Sequence, residues 1–403
     1  MAPAGSYESL AAAIRAGAGS IYFGIEGLNM RSHSSNNFTV TDLHRIAKTC
    51  NKHHLQSYLT VNTVIYDRDR EQMRRIIDAA HAAGVSAIIA ADVAAMTYAR
   101  SIGMEVHLST QLNIANIEAL KFYAQFADVA VLARELNLEQ VKAIHEQIVE
   151  QNIKGPSGKL IRIEMFCHGA LCMAVSGKCY LSLHEMNASA NRGECNQVCR
   201  RSYLVKDKES DIELEIENQY IMSPKDLKTV HFLNKILDAG VRVLKIEGRA
   251  RGPEYVKTVT ECYKEAVCAC CDGSYSEEKI AGWDSRLVKV FNRGFWDGYY
   301  LGQRLGEWNN QYGNRATEKK LYLGKVLKYF SKLGVAEFLV ETQSLSAGDR
   351  VLITGPTTGA QTFTAGDIRV DLVSAGTANK GERFSMKTPE KVRPSDKLYK
   401  LTS

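Results

Sequence analysis

Four cysteines, Cys172, Cys179, Cys195 and Cys199, are separated by six, fifteen and three intervening residues in one stretch of a 403-residue chain. Thiolate sulfur is a soft ligand, and four that converge complete either a tetrahedral zinc site or an iron–sulfur cluster. Zinc sites usually pair cysteines two to four residues apart, a spacing that only Cys195 and Cys199 approach, so the pattern leans toward iron and sulfur, with zinc and plain buried thiols as the alternatives. The other six cysteines read as packing. Cys167 falls on an apolar strand face, Cys50 ends a helical segment, and Cys262, Cys268, Cys270 and Cys271 share one amphipathic helix whose successive residues point apart.

Charged residues at strand ends offer a second chemistry. In the run from Arg162, alternation puts Arg162, Glu164, Phe166 and His168 on one face and the apolar Ile161, Ile163, Met165 and Cys167 on the other. Val243, Lys245, Glu247 and Arg249 group in the same way opposite Leu244 and Ile246. Glu164 and His168 are therefore expected to point inward near the mouth of a sheet, although any one of these charges alone reads equally well as a structural ion. His231 and His145 read as ordinary helical histidines.

The elements that position these residues follow a βα rhythm. Short apolar runs at Met1 to Ala4, Ser20 to Gly24, Gln56 to Asn62, Ala87 to Ala91, Glu105 to Gln111, Asp128 to Ala133, Leu160 to His168 and Val241 to Glu247 read as strands. Amphipathic stretches such as Thr41 to Lys52, Arg70 to Ala83, Ile117 to Phe126 and Leu138 to Glu150 read as helices between them. Eight strands are what a TIM-like (β/α)8 barrel needs, and its sites lie where strands end, as Gln111, Glu164 and Lys245 do here. An open doubly wound sheet is the runner-up, without a Gly-rich phosphate fingerprint to support a dinucleotide site. Ser223-Pro224-Lys225-Asp226 looks like a helix start. About 55 residues before it form a cysteine-rich connection too long to be a plain loop, with a hairpin strand expected over Lys206 to Tyr220. From Leu321 the pattern is wholly β. The expected organisation is a barrel over 1–308 with an insertion at 169–222, and a small β-barrel domain over 319–403.

Composition bounds the function. With 45% hydrophobic and 24% charged residues the chain is globular. It has no run of 18 apolar residues, and its N-terminus lacks a signal-peptide layout, so a cytoplasmic protein without membrane partners is expected. From Lys319 onward there are 14 Lys plus Arg against 8 Asp plus Glu, which accounts for the whole net charge of +6 and leaves the first 318 residues neutral. A basic small part joined to a neutral large part suits a polyanionic partner, or equally a solvated surface. His-Glu-x-x-His and Gly-x-Ser-x-Gly motifs are missing, so neither a zinc protease nor a nucleophile-elbow hydrolase has support.

Six ordered motifs then carry a resemblance. They are His168-Gly169-Ala170-Leu171-Cys172, Ser176-Gly177-Lys178-Cys179, Ala190 to Cys195 with Gln197, Cys199 and Arg200, Ser223 to Leu227, Lys245 to Arg249, and Phe291-Asn292-Arg293-Gly294-Phe295. From Ala2 to about Gly302 the chain resembles the collagenase-like peptidases of unknown catalytic type. That family includes oxygen-independent or prephenate-dependent hydroxylation proteins acting on tRNA, ribosomal RNA or quinone precursors, several with a four-iron four-sulfur cluster. Its members carry a few residues ahead of the Ala-Pro-Ala-Gly motif, so a frayed first strand is expected.

A barrel with one small β domain is most similar to the branch making 5-hydroxyuridine at the tRNA wobble position with prephenate. The resemblance implies a cluster on Cys172, Cys179, Cys195 and Cys199, the last favoured because Lys228 stands where one quinone-pathway member has its fourth ligand. It also implies an anticodon-loop substrate and an electron donor of unknown identity. Prephenate has two carboxylates, for which Arg31, Arg192, Arg200 and Arg249 are the candidates, with Gln111 and Lys245 also placed to bind substrate and Glu164, His168 and Glu247 to move protons. Competing readings are a collagen-degrading protease, a ribosomal-RNA or quinone hydroxylase, and a non-enzymatic cluster-bearing RNA-binding factor.

Overall fold

The computed structural model describes residues 1–32, 37–201, 223–303, 306–308 and 313–402. Strands β1 (Ala2–Pro3), β2 (Ser20–Phe23), β3 (Gln56–Val61), β4 (Ala87–Ala90), β5 (Glu105–Leu108), β6 (Val129–Val131) and β7 (Arg162–Ala170) pair in chain order, each parallel to the next. They are short and apolar because both faces are covered: every residue of β4, Ala-Ile-Ile-Ala, is buried. Between them lie α1 (Tyr7–Arg15), α2 (Leu43–Lys52), α3 (Arg70–Ala82), α4 (Val93–Ser101), α5 (Ile117–Ala124) and α6 (Leu138–Glu150). Their apolar spacing is what seats them: α3 buries Met73, Ile76, Ile77 and Ala80, one stripe at i, i+3, i+4 and i+7. Asn137 and Gln140 close a capping box at the start of α6.

After β7 come α7 (Leu181–Met186) in the insertion, β8 (Asp226–Lys228), α8 (Leu233–Asp238) and β9 (Val241–Ile246), which runs parallel to β7. Then follow α9 (Pro253–Asp272), α10 (Glu277–Leu287) and β10 (Phe295–Trp296). All eight expected parallel strands form, in a mixed α/β fold. Met1 joins the first and last of them: its nitrogen donates to Leu244 O at 2.7 Å and its carbonyl accepts from Ile246 N at 3.1 Å. β1 is short but paired, Ala2 against Ile21 and Pro3 against Tyr22.

The helix start expected at Ser223 is corrected. Pro224 disfavours helical backbone at Ser223, and Asp226 is buried in β8, antiparallel to the end of β7, so the chain extends first and coils only later, at α8. The hairpin expected over Lys206 to Tyr220 lies outside the described residues.

The C-terminal part is antiparallel. It comprises β11 (Lys319–Phe330), β12 (Val335–Val340), β13 (Leu345–Ser346), β14 (Arg350–Gly355), β15 (Gly359–Thr364), β16 (Ile368–Val370), β17 (Val373–Ala375), β18 (Thr377–Ala378), β19 (Arg383–Lys387) and β20 (Lys397–Thr402). Eight of these form one sheet, ordered β15-β14-β20-β11-β12-β19-β16-β17, while β13 pairs with β18. It has its own core, in which Phe338 and Phe384 stack with ring centroids 5.0 Å apart. β15 abuts α1 so closely that a Cβ on Gly359 would lie 2.9 Å from Ala12 N, and Lys320 pairs with Glu254 of α9 at 2.6 Å. No helix among the described residues is long and apolar enough to cross a membrane.

Candidate active site

A cavity of about 210 Å³ opens where the parallel strands end, roofed by residues of the insertion. β3, β5 and β9 send Thr60, Gln111 and Lys245 into its wall or just past their own ends, and all four motif cysteines line it. Gln111 Oε1 accepts from Asn62 Nδ2 at 3.1 Å and from Ser109 Oγ.

Beneath the floor runs a charge chain that is buried except at its far end, where the Glu105 side chain is 42% exposed. Lys245 Nζ is 2.7 Å from Glu164 Oε1, Glu164 Oε2 is 3.8 Å from His107 Nδ1, and His107 Nε2 is 3.3 Å from Glu105 Oε1. Glu164 is wholly buried, which by itself would raise its pKa; the Lys245 ammonium and His107 reverse that and hold it down at about 2. His107 stacks on Tyr58 at 4.3 Å, and its pKa is raised, since burial is outweighed by Glu105 and Glu164. The sequence reading missed His107. Glu105 and His107 share a strand face opposite Val106 and Leu108, the same signal that marked Glu164 and Lys245.

Because the folded pKa of His107 exceeds the unfolded one, its contribution to stability is complete below about pH 6.5 and is lost as pH rises through the folded value. Urea denaturation from pH 6 to 9 should show the wild type losing up to about 1.4 kcal/mol per pH unit over that window, an alkaline decline that His107→Gln lacks. Parallel curves for the two proteins would show that His107 is neutral in the fold.

Above the floor the cations differ in their engagement. Arg249 is buried, 6% exposed, and donates to Thr60 Oγ1 at 3.1 Å and Asn29 Oδ1 at 2.8 Å, both neutral acceptors. Burial lowers its pKa to about 10, so it stays charged at neutral pH. Gly24 makes room for it: a Cβ there would lie 2.0 Å from Arg249 Nη1. Arg31 reaches Glu247 Oε1 at 3.3 Å; burial opposes its charge, but Glu247 and then Cys195 hold its pKa above the ordinary value.

Arg200 also lines the cavity, yet it donates to Ser223 Oγ and Pro224 O, each at 2.8 Å, and to Leu171 O at 2.6 Å. Arg192 lies off the cavity. It binds Asp69 Oδ2 at 2.5 Å and Val64 O at 2.9 Å and covers the Tyr66 ring, pinning the insertion to the segment before α3.

Glu247 and Lys245 thus reach the cavity, Glu164 supports it from below, and His168 does not reach it. The β7–β9 register shifts between Phe166 and His168, so the imidazole packs beside Tyr263 and Tyr255 of α9 and Phe295. Burial, then Lys228 and Arg251, lower its pKa to about 3, leaving it neutral.

Cys199, like Cys179 and Cys195, is half-buried, while Cys172 is exposed. Burial pushes the Cys199 thiol up to about 11, opposed by Arg200 and reinforced by Cys172, Cys195 and Cys179, so Cys199 lies within electrostatic reach of the other three. Among the described residues no three His, Cys, Asp or Glu side chains close on a point that could hold a single metal ion. Cys167 is buried against Lys245 O, as its apolar strand face implied, and Cys50 and Cys262 are buried as well, but Cys268 and Cys271, read as packing, are exposed on α9.

The model of peptidase family U32 matches residues 5–310. A protein named collagenase from Porphyromonas gingivalis W83 is 67% identical over 401 residues, covering 100% of this chain and 97% of that one. A 23S rRNA 5-hydroxycytidine synthase of Escherichia coli K12 is 34% identical over 303 residues, 73% of this chain and 44% of its own. The tRNA hydroxylation protein P1 of Bacillus subtilis 168 is 30% identical over 364 residues, 88% of this chain and 83% of its own.

Proposed function

The chain belongs to peptidase family U32, and from that premise we propose that it is a prephenate-dependent tRNA hydroxylation protein that makes 5-hydroxyuridine at the wobble uridine. One observation carries the reading: four cysteines and the buried guanidinium of Arg249, which has only neutral hydrogen-bond acceptors, line the same cavity. Such a cavity suits a redox cofactor beside an organic anion.

The donor set, four cysteine thiols on one cavity wall of which only Cys195 and Cys199 are close in sequence, supports a four-iron four-sulfur cluster. A lone zinc needs every sulfur about 2.3 Å from one centre. Among the described residues no three such ligands close on one point, while the four thiols line one cavity and Cys199 senses the charge of the other three. Cys172, Cys179, Cys195 and Cys199 would hold it, and it would supply electron transfer at the cavity wall.

The remaining roles belong to the chain's own side chains. Arg249 takes one carboxylate of prephenate and Arg31 orients the other while Glu247 steadies the Arg31 guanidinium. Lys245, neutralised by Glu164, contributes hydrogen-bond donors without adding net field. Glu247, the carboxylate lining the cavity, accepts a proton. The target base leaves its stack to enter, which costs little in an anticodon loop.

Names at 67% identity favour a collagenase, but no histidine is among the described residues lining the cavity: His107 is held below the floor and His168 faces α9. Mass spectrometry of tRNA nucleosides decides between them. Deleting the gene should drive 5-hydroxyuridine derivatives to background; unchanged levels would overturn the proposal, and loss of 5-hydroxycytidine from ribosomal RNA instead would move the substrate.

A further inference from the structure

The C-terminal sheet has a face that the parallel-sheet domain leaves open. β14 and β15 turn toward α1, whereas the register of β11, β12, β19 and β16 lines up a different set of residues on the outside. Phe338, Phe384 and Val370 point into the core, so their strand neighbours point out. One row across the sheet is Lys325, Leu339 and Arg383; the next is Lys328, Glu337, Ser385 and Arg369; the third is Phe330, Val335 and Lys387.

Lys325 and Lys328 are three residues apart and would lie on opposite faces of a regular strand. The β11–β12 register shifts between Val326 and Lys328, and that bulge brings both lysines to the outside while Val326 stays buried. Lys325 pairs with Glu341 and Arg369 with Asp367, each at 2.7 Å. Lys328, Arg383 and Lys387 are exposed, and the ion pairs among the described residues engage none of them. Phe330, 37% exposed, lies under Lys328 at 5.0 Å, and Val335 and Leu339 are half-buried between the cations.

We propose that the outer face of β11, β12, β19 and β16 docks the sugar–phosphate backbone of RNA. This rests on the reading above that the substrate is an RNA. Four strands span about 14 Å at ~4.8 Å per spacing, a flat patch on which unpaired cations meet phosphates while Phe330, Val335 and Leu339 cover ribose and base edges. The chain's whole positive surplus falls within residues 319–403, the part that carries this face, which gives the long-range attraction such docking needs.

The test is anisotropy titration of the full chain with an unmodified tRNA transcript between 50 and 200 mM salt, wild type against Lys328→Ala/Arg383→Ala/Lys387→Ala. Removing three phosphate contacts should weaken binding about tenfold or more and flatten the slope of log K against log salt by roughly two to three. Each single substitution should flatten it by about one, which guards against misfolding of the triple variant. Unchanged affinity and slope would overturn the proposal. So would loss of binding to phosphatidylserine vesicles with tRNA binding intact, which would assign the face to a membrane. A flattened slope in a protein whose deletion leaves tRNA nucleosides unaltered sinks the hydroxylase reading and keeps the face; an unaltered slope with the modification abolished does the reverse.

Discussion

Lys245→Met is expected to destabilise the parallel-sheet domain by about 3–5 kcal/mol, because it leaves a wholly buried Glu164 without the cation 2.7 Å away. His107 cannot replace it: it stands 3.8 Å off and is already shared with Glu105. Removing both charges should recover most of the loss, since an apolar pair of similar volume avoids the desolvation that the ion pair must offset. Guanidinium unfolding of wild type, Lys245→Met and Glu164→Leu/Lys245→Met checks this, and a single-variant cost below about 1 kcal/mol would show that water reaches Glu164. The sign with pH follows from the depressed carboxyl. Its contribution is present above the ordinary carboxylate range and is lost as pH falls toward about 2, so the gap between wild type and Lys245→Met should hold from pH 8 to 5 and close in acid.

Cys195→Ala carries the second large effect. Purified without oxygen, the wild type should contain about four irons and four sulfides per chain, and the variant close to none. Visible absorbance from sulfur-to-iron charge transfer should disappear with the iron. One tightly held zinc per chain in the wild type would replace the redox cofactor with a structural one, and the proposed chemistry would fail with it.

The parallel sheet was legible because a strand covered on both faces writes itself as a short apolar run. Ala87 to Ala90 and Val129 to Val131 needed no tertiary information. The inward set Glu164, Lys245, Glu247 and Arg249 was legible from alternation, which a regular strand obeys. Alternation failed at His168, where the register shift in the β7–β9 pairing carries the imidazole out to α9. A shift of that kind depends on the partner strand and leaves no local trace. The arginines show a different limit. Residue type marked Arg192 and Arg200 as anion ligands, but their donors are taken by Asp69 and by main-chain carbonyls that come from distant parts of the chain. Ser223-Pro224 reads equally as a cap or as an extended dipeptide, and only the pairing of Asp226 with Ala170 decides.

Arg200 joins the two ends of an excursion. Leu171, where it departs, and Ser223-Pro224, where it returns, meet on one guanidinium, while Arg192 ties the described part of the span to Asp69 and Val64. Closing an excursion grows costlier only slowly with its length, and here entry and exit are held together by a guanidinium that the excursion itself supplies. The clamp thus belongs to the cysteine-rich segment itself, so losing the Arg200 guanidinium would free its departure and its return at once.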